Sequence, residues 1–94
     1  MADISVVSAR DTNGWTCTVQ VTEPNGQTRH SVALSQGDFD QLRAGKSTTP
    51  EALVRRSFEF LLEREPKESI LRQFSLPVIS RYFPEYPAEI RKRL

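Results

Sequence analysis

The 94-residue sequence contains one cysteine, Cys17, one histidine, His30, and four glycines, no two of which are close together. A lone cysteine excludes a disulfide-stapled scaffold. One cysteine with one histidine falls short of the four ligands of an intramolecular structural zinc site. Gly14, Gly26, Gly37 and Gly45 each sit at a turn or a helix end, so no glycine-rich loop is left to cradle a phosphate. No apolar run approaches the roughly 18 residues of a membrane-spanning helix. The opening MADISVVSAR lacks the basic stretch followed by an apolar region that marks secretion. The expected location is therefore cytoplasmic, with the thiol reduced. No cofactor, metal ion or membrane contact is implied.

What is present is ordinary globular composition, with 37% hydrophobic and 27% charged residues and a formal net charge of +1. The length fits one domain spanning residues 1–94 with one modest core. The near-neutral total weighs against a strongly basic nucleic-acid binder. Charge is unevenly placed, however. Residues 1–48 hold four basic and five acidic side chains, and residues 49–94 hold nine and seven.

Residues 1–35 carry the pattern of strands. Ile4–Ala9 is short and β-branched, and Asp11-Thr12-Asn13-Gly14 supplies turn chemistry. Trp15–Thr22 alternates, with Trp15, Cys17, Val19 and Val21 on one face and Thr16, Thr18, Gln20 and Thr22 on the other. After Pro24-Asn25-Gly26, Thr28–Leu34 places Val32 and Leu34 opposite Arg29 and Ser31. A three-residue loop with a glycine bulge would pair Glu23 with Gln27 and set Val19 against Ser31. Burial of the apolar face favours the alternative pairing of Val19 with Val32, Val21 with His30 and Cys17 with Leu34, through a two- or four-residue loop.

Residues 36–94 carry the pattern of helices. Ser35 with Asp38 marks a helix start and Gly45 its stop, burying Phe39 and Leu42. Thr49, Pro50 and Glu51 open a stronger helix on which Leu53, Val54, Phe58, Phe60, Leu61 and Leu62 form a wide apolar arc. Arg55 and Glu59 form a favourable pair one turn apart. Pro66 ends that helix. Ile70, Leu71 and Phe74 then predict a helix over residues 67–74, and Ser75 caps another over 76–83 that buries Leu76, Ile79 and Phe83. Pro84 and Pro87 stop it, and Ala88–Leu94 makes a final turn with Ile90 and Leu94 inward. The expected fold is α+β, a β-hairpin or three-stranded antiparallel meander followed by three to four short helices packed on one face.

Catalysis has little support in these residues. With Cys17 opposite Leu34, the thiol lies four strand positions from His30, about 13 Å, so a Cys–His pair does not form. Cys17 is expected in the core and His30 at the core edge. Glu63, Arg64, Glu65, Lys67 and Glu68 are expected to form a solvated helix end. Two short helices around Ser75 resemble a helix-turn-helix, but Ser75 replaces the usual turn glycine, and Pro77 and Pro84 leave little groove-reading face. Arg72, Arg81, Arg91, Lys92 and Arg93, near Tyr82, Phe83 and Tyr86, are the candidate nucleic-acid contacts.

At Ser57–Pro66, SFEFLLEREP, and Ser69–Tyr86, SILRQFSLPVISRYFPEY, the chain resembles a family of small uncharacterised bacterial proteins. The resemblance implies a bacterial source and a compact fold in which these helices follow a short β-hairpin, and it carries over no catalytic residue. A looser likeness, through Thr49-Pro50-Glu51-Ala52 after a β-hairpin, is to HicB-type antitoxins. This chain inserts Asp38–Lys46 where that fold would run its third strand. The expected function is a non-enzymatic binding module that engages a protein partner or a second copy of itself. The alternative is a nucleic-acid-binding regulator, helix-turn-helix-like or antitoxin-like, using the basic C-terminal half.

Overall fold

The computed structural model describes residues 2–94. Three long strands form an antiparallel meander, β1 (Asp3–Arg10), β2 (Gly14–Glu23) and β3 (Gly26–Ser35). Cys17, Val19, Val21, Val32 and Leu34 are buried on one face of the sheet, and Thr16, Thr18, Thr22 and Arg29 are exposed on the other. The first turn is built by Asp11. One carboxylate oxygen accepts the backbone N–H groups of Asn13 and Gly14, at 3.0 and 2.8 Å, and the other accepts the Thr16 hydroxyl. Such a side-chain turn replaces the backbone bonds that a chain reversal forfeits.

The β2–β3 pairing preserves the expected faces but shifts the partners by two residues. Val19 lies opposite His30, Cys17 opposite Val32 and Val21 opposite Thr28, with Glu23 paired to Gly26. A shift of two leaves every side chain on its own face, so the apolar pattern is blind to it. The turn geometry decides. Pro24 fixes a negative φ at the first loop position, which excludes the primed turns that suit hairpins best. The two-residue Pro24-Asn25 loop forms anyway because Gly26, at φ 139°, takes up the mismatch.

Helix α1 (Gln36–Arg43) is capped by Ser35, whose hydroxyl accepts the Asp38 N–H at 3.1 Å. It ends through left-handed Ala44 and Gly45, and it buries Phe39 and Leu42. Helix α2 (Pro50–Leu62) is capped by Thr49, whose hydroxyl accepts the Ala52 N–H at 3.1 Å, and Pro50 occupies the first turn, where no N–H partner is lost. Its Leu53, Val54, Phe58, Phe60 and Leu61 are buried against the sheet and the other helices. The expected Arg55–Glu59 pair does not form. Arg55 instead donates to the carbonyl of Ile4 on the edge strand, at 2.6 Å, and Glu59 pairs with Arg56 at 3.1 Å. The Ile4 carbonyl lies on the sheet's edge strand within reach of Arg55, and an exposed ion pair one turn apart is worth only a few tenths of a kcal/mol.

Residues 67–74 are not a helix. One 3-10 turn, Lys67–Ser69, leads into extended chain and a short strand, β4 (Gln73–Ser75), which pairs parallel to β3 with Phe74 beside Val32. The Ser31 N–H donates to the Arg72 carbonyl at 2.8 Å. The sheet is therefore four-stranded and mixed, in the order β1-β2-β3-β4, and the helices between β3 and β4 supply the crossover that parallel neighbours need. The architecture is α+β. Lys67 is buried rather than solvated. Its ammonium donates to Glu23 at 2.9 Å, Glu68 at 2.7 Å and Asn25 at 3.0 Å, which engages all three of its hydrogens. It thereby ties the hairpin turn to the chain leaving α2.

A 3-10 turn at Leu76–Val78 runs directly into α3 (Ile79–Tyr82), burying Leu76 and Ile79. Ser75 precedes it without a capping bond from its side chain. Helix α4 (Tyr86–Arg93) starts two residues earlier than expected, because Pro87 fits its first turn instead of blocking it. Tyr86 and Ile90 are fully buried, and Leu94 packs at the core margin.

Candidate functional site

The two reactive side chains are each committed elsewhere. With the register shifted, Cys17 lies two strand positions from His30 rather than four, about 7 Å along the strand. The thiol is fully buried, and burial, with Glu51 adding to it, pushes its pKa up to about 11. A thiol held protonated is a poor nucleophile. His30 has a partner at each ring nitrogen, the Leu71 carbonyl 2.8 Å from Nδ1 and the Thr28 hydroxyl 2.8 Å from Nε2. A carbonyl only accepts, so Nδ1 carries the proton and Nε2 accepts from Thr28. Burial holds the imidazole pKa below its ordinary value, with the Leu71 bond acting against that shift and Arg72 adding to it. His30 thus works as a strut between β3 and the segment before β4. Among the described residues, no group of three or more His, Cys, Asp or Glu side chains is placed to hold a metal ion.

The basic candidates divide into two sets. Arg93 makes a two-pronged contact with Glu63, at 2.8 and 2.7 Å, and lies over the Phe60 ring. Lys92 pairs with Glu89 at 3.2 Å. Arg91 reaches the Gln41 carbonyl at 3.4 Å, and its Nε is buried without a partner. Arg72 and Arg81 are exposed. Arg93 therefore ties α4 to the end of α2 and Arg91 reaches α1, while Lys92 stays largely exposed with its contact inside α4. The helix-turn-helix arrangement is absent because its first member is β4 and the chain leading to it. The open face of the sheet presents hydroxyl and amide groups together with Arg29 and the exposed Val7, whereas an RNA-reading sheet presents stacked aromatics.

The most distinctive concavity lies where α2, β4 and α3 meet. It is a cavity of about 140 Å³ walled by Leu61, Ile70, Phe74, Ile79 and Phe83, with Glu65 as its one carboxylate. Leu71 and Tyr82 line it while remaining 46% and 65% exposed. Each wall has a local cause. The apolar arc of α2 brings Leu61, and the pairing of β4 with β3 turns Phe74 to the helix side of the sheet. The tight exit from α2, where the Arg64 and Glu65 N–H groups both donate to the Leu61 carbonyl, carries Glu65 to the cavity. Burial raises the Glu65 carboxyl above the ordinary carboxylate range. A wider depression at the far end of the sheet, about 400 Å³, is lined by Asp11, Trp15 and Asp38. The Asp11 carboxylate there already accepts three hydrogen bonds from its own turn.

Sequence reasoning placed none of this groove. Its apolar residues were assigned to helix interfaces, and Glu65 to a solvated helix end. The one signal pointing to it is Leu71, an apolar residue that the extended chain leaves outside the core. No protein-family model, curated protein or solved structure matches this chain.

Proposed function

We propose that this chain is a non-enzymatic binding module that docks a protein partner through the groove between α2, β4 and α3. The carrying observation is a preformed apolar cavity flanked by two large exposed side chains, Leu71 and Tyr82. Pockets with apolar walls and few polar groups are the usual sites of ligand and side-chain capture. The non-enzymatic part of the reading is supported by the commitment of Cys17 to the core and of both His30 nitrogens to internal hydrogen bonds.

The test is selection of peptides from a displayed library, followed by amide chemical-shift mapping of the winners. The expected footprint is residues 69–83, lost in Leu71→Asp and in Tyr82→Ser. Both changes lie at the surface and spare the core. Winners that map to the open face of the sheet would overturn the reading. Light scattering on the free chain identifies the partner further, since a dimer that Leu71→Asp dissolves would make a second copy the occupant.

A further inference from the structure

Apart from the hydroxyls of Ser69 and Tyr82, the groove is lined by apolar side chains and one charged group. The half-buried Glu65 side chain lines the cavity, and among the described residues its carboxylate makes no hydrogen bond and no ion pair with another side chain. Its neighbours are all engaged. Glu63 is held by Arg93, Arg64 lies over Phe60 at 3.6 Å and pairs with Glu85, and Lys67 is saturated by Glu23, Glu68 and Asn25. Arg72 and Arg81, next in sequence to the lining Leu71 and Tyr82, are exposed and among the described residues form no ion pair with Glu65. The Glu65 carboxylate gives up part of its hydration to the apolar walls, and a cation from outside would add a charge-assisted contact there. The cavity itself is benzene-sized, since about 150 Å³ holds such a ring. It therefore takes a single aromatic or branched aliphatic side chain.

Resting on the docking reading above, we infer that the partner is a peptide segment that places an apolar side chain in the cavity and an adjacent lysine or arginine against Glu65. The outer side of β4 is an unpaired sheet edge beside the cavity, available to the backbone of such an extended segment. Burial raises the Glu65 carboxyl pKa, and an approaching cation acts against that shift by favouring the charged form.

The experiment uses three capped dipeptide amides, phenylalanine followed by lysine, by glutamine or by glutamate, titrated into the full chain and followed at the amides of Ile70, Phe74 and Ile79. The lysine probe is expected to bind roughly fivefold more tightly than the glutamine probe, and the glutamate probe to bind most weakly. In Glu65→Gln the lysine and glutamine probes should converge, and in the wild-type chain molar salt should narrow the same gap. Equal binding of lysine and glutamine probes at these amides in the wild-type chain would overturn the charge preference and leave the groove as a docking site. No shift with any probe at saturating concentration would overturn both.

Discussion

The phenol of Tyr86 on α4 lies 2.6 Å from the hydroxyl of Ser57 on α2, with both side chains fully buried. The direction of this bond follows from the next one. Ser57 spends its only proton on the Leu53 carbonyl at 2.8 Å, so Tyr86 must be the donor to Ser57. The two bonds form a relay that joins the C-terminal helix to the central one inside the core. Burial raises the Tyr86 pKa well above the ordinary phenol value, which keeps it protonated and donating.

Removing the two ends of that bond should have unequal costs. Tyr86→Phe takes away a donor and leaves Ser57 still bonded to Leu53, which should cost about 1 kcal/mol. Ser57→Ala strands a buried phenol proton and should cost about 2 kcal/mol. The double variant should lose less than the two losses added together, because it leaves no orphan. Urea unfolding of the three variants measures this, and strict additivity would refute the relay.

Gly14 is a site of steric exclusion. A Cβ there would stand 2.2 Å from the Leu34 carbonyl oxygen and 2.7 Å from the Ser35 Cα, both backbone atoms. Gly14→Ala should therefore cost about 2–4 kcal/mol. Gly37, in the first turn of α1, has nothing within 4 Å of an added Cβ, and Gly37→Ala should gain about 0.5 kcal/mol. Thermal unfolding of this pair separates a steric requirement from a general dislike of replacing glycine.

His30 should make stability sensitive to mild acid. Its folded pKa is lower than the unfolded value of 6.5, so below neutrality the unfolded chain binds the proton more readily. The stabilisation is complete above pH 6.5 and is lost as pH falls from there through the folded pKa. The melting temperature should thus decline below pH 6.5, well before most carboxylates titrate. In His30→Asn that decline should flatten, although the variant starts from lower stability. An equally steep decline in the variant would assign it to other groups.

The Arg93–Glu63 contact should act at lower pH. Hydrogen bonding from Arg93 holds the Glu63 carboxyl below its ordinary 4.5. Its contribution is present above pH 4.5 and is lost as pH falls through the folded value. The difference in melting temperature between the wild-type chain and Glu63→Gln should be largest near neutrality and vanish in strong acid. A difference that persists there would mean the substitution acts through packing.

Much of the fold is legible in the residues, and the gaps have specific causes. Trp15–Thr22 alternates cleanly, and Ser35, Thr49 and Pro50 carry the capping chemistry that the structure uses. The β2–β3 register was obscured because a two-residue shift changes no face. The segment over 67–74 misled for another reason. Ile70, Leu71 and Phe74 have helical spacing, yet a three-residue parallel strand needs no pattern of its own and takes its place from β3, 42 residues earlier. Lys67 was hidden because its three acceptors, Glu23, Asn25 and Glu68, come partly from a distant turn. The groove is built from these same long-range placements, which is why local reasoning passed over it.

The short parallel strand also bears on how the sheet comes together and comes apart. β2 and β3 share ten paired positions across a two-residue turn, whereas β3 and β4 share three across some forty residues. Closing the longer loop costs more entropy and returns fewer bonds, so the meander assembles early and β4 docks late. In reverse, β4 is the part of the sheet that opens first, in local fluctuations that leave the hairpins intact. The amide of Ser31, bonded to Arg72, should exchange with solvent deuterium faster than its hairpin neighbours. Because Phe74 belongs to that strand, each such opening also unseats one wall of the groove, so the cavity is only as rigid as the sheet's last and weakest seam.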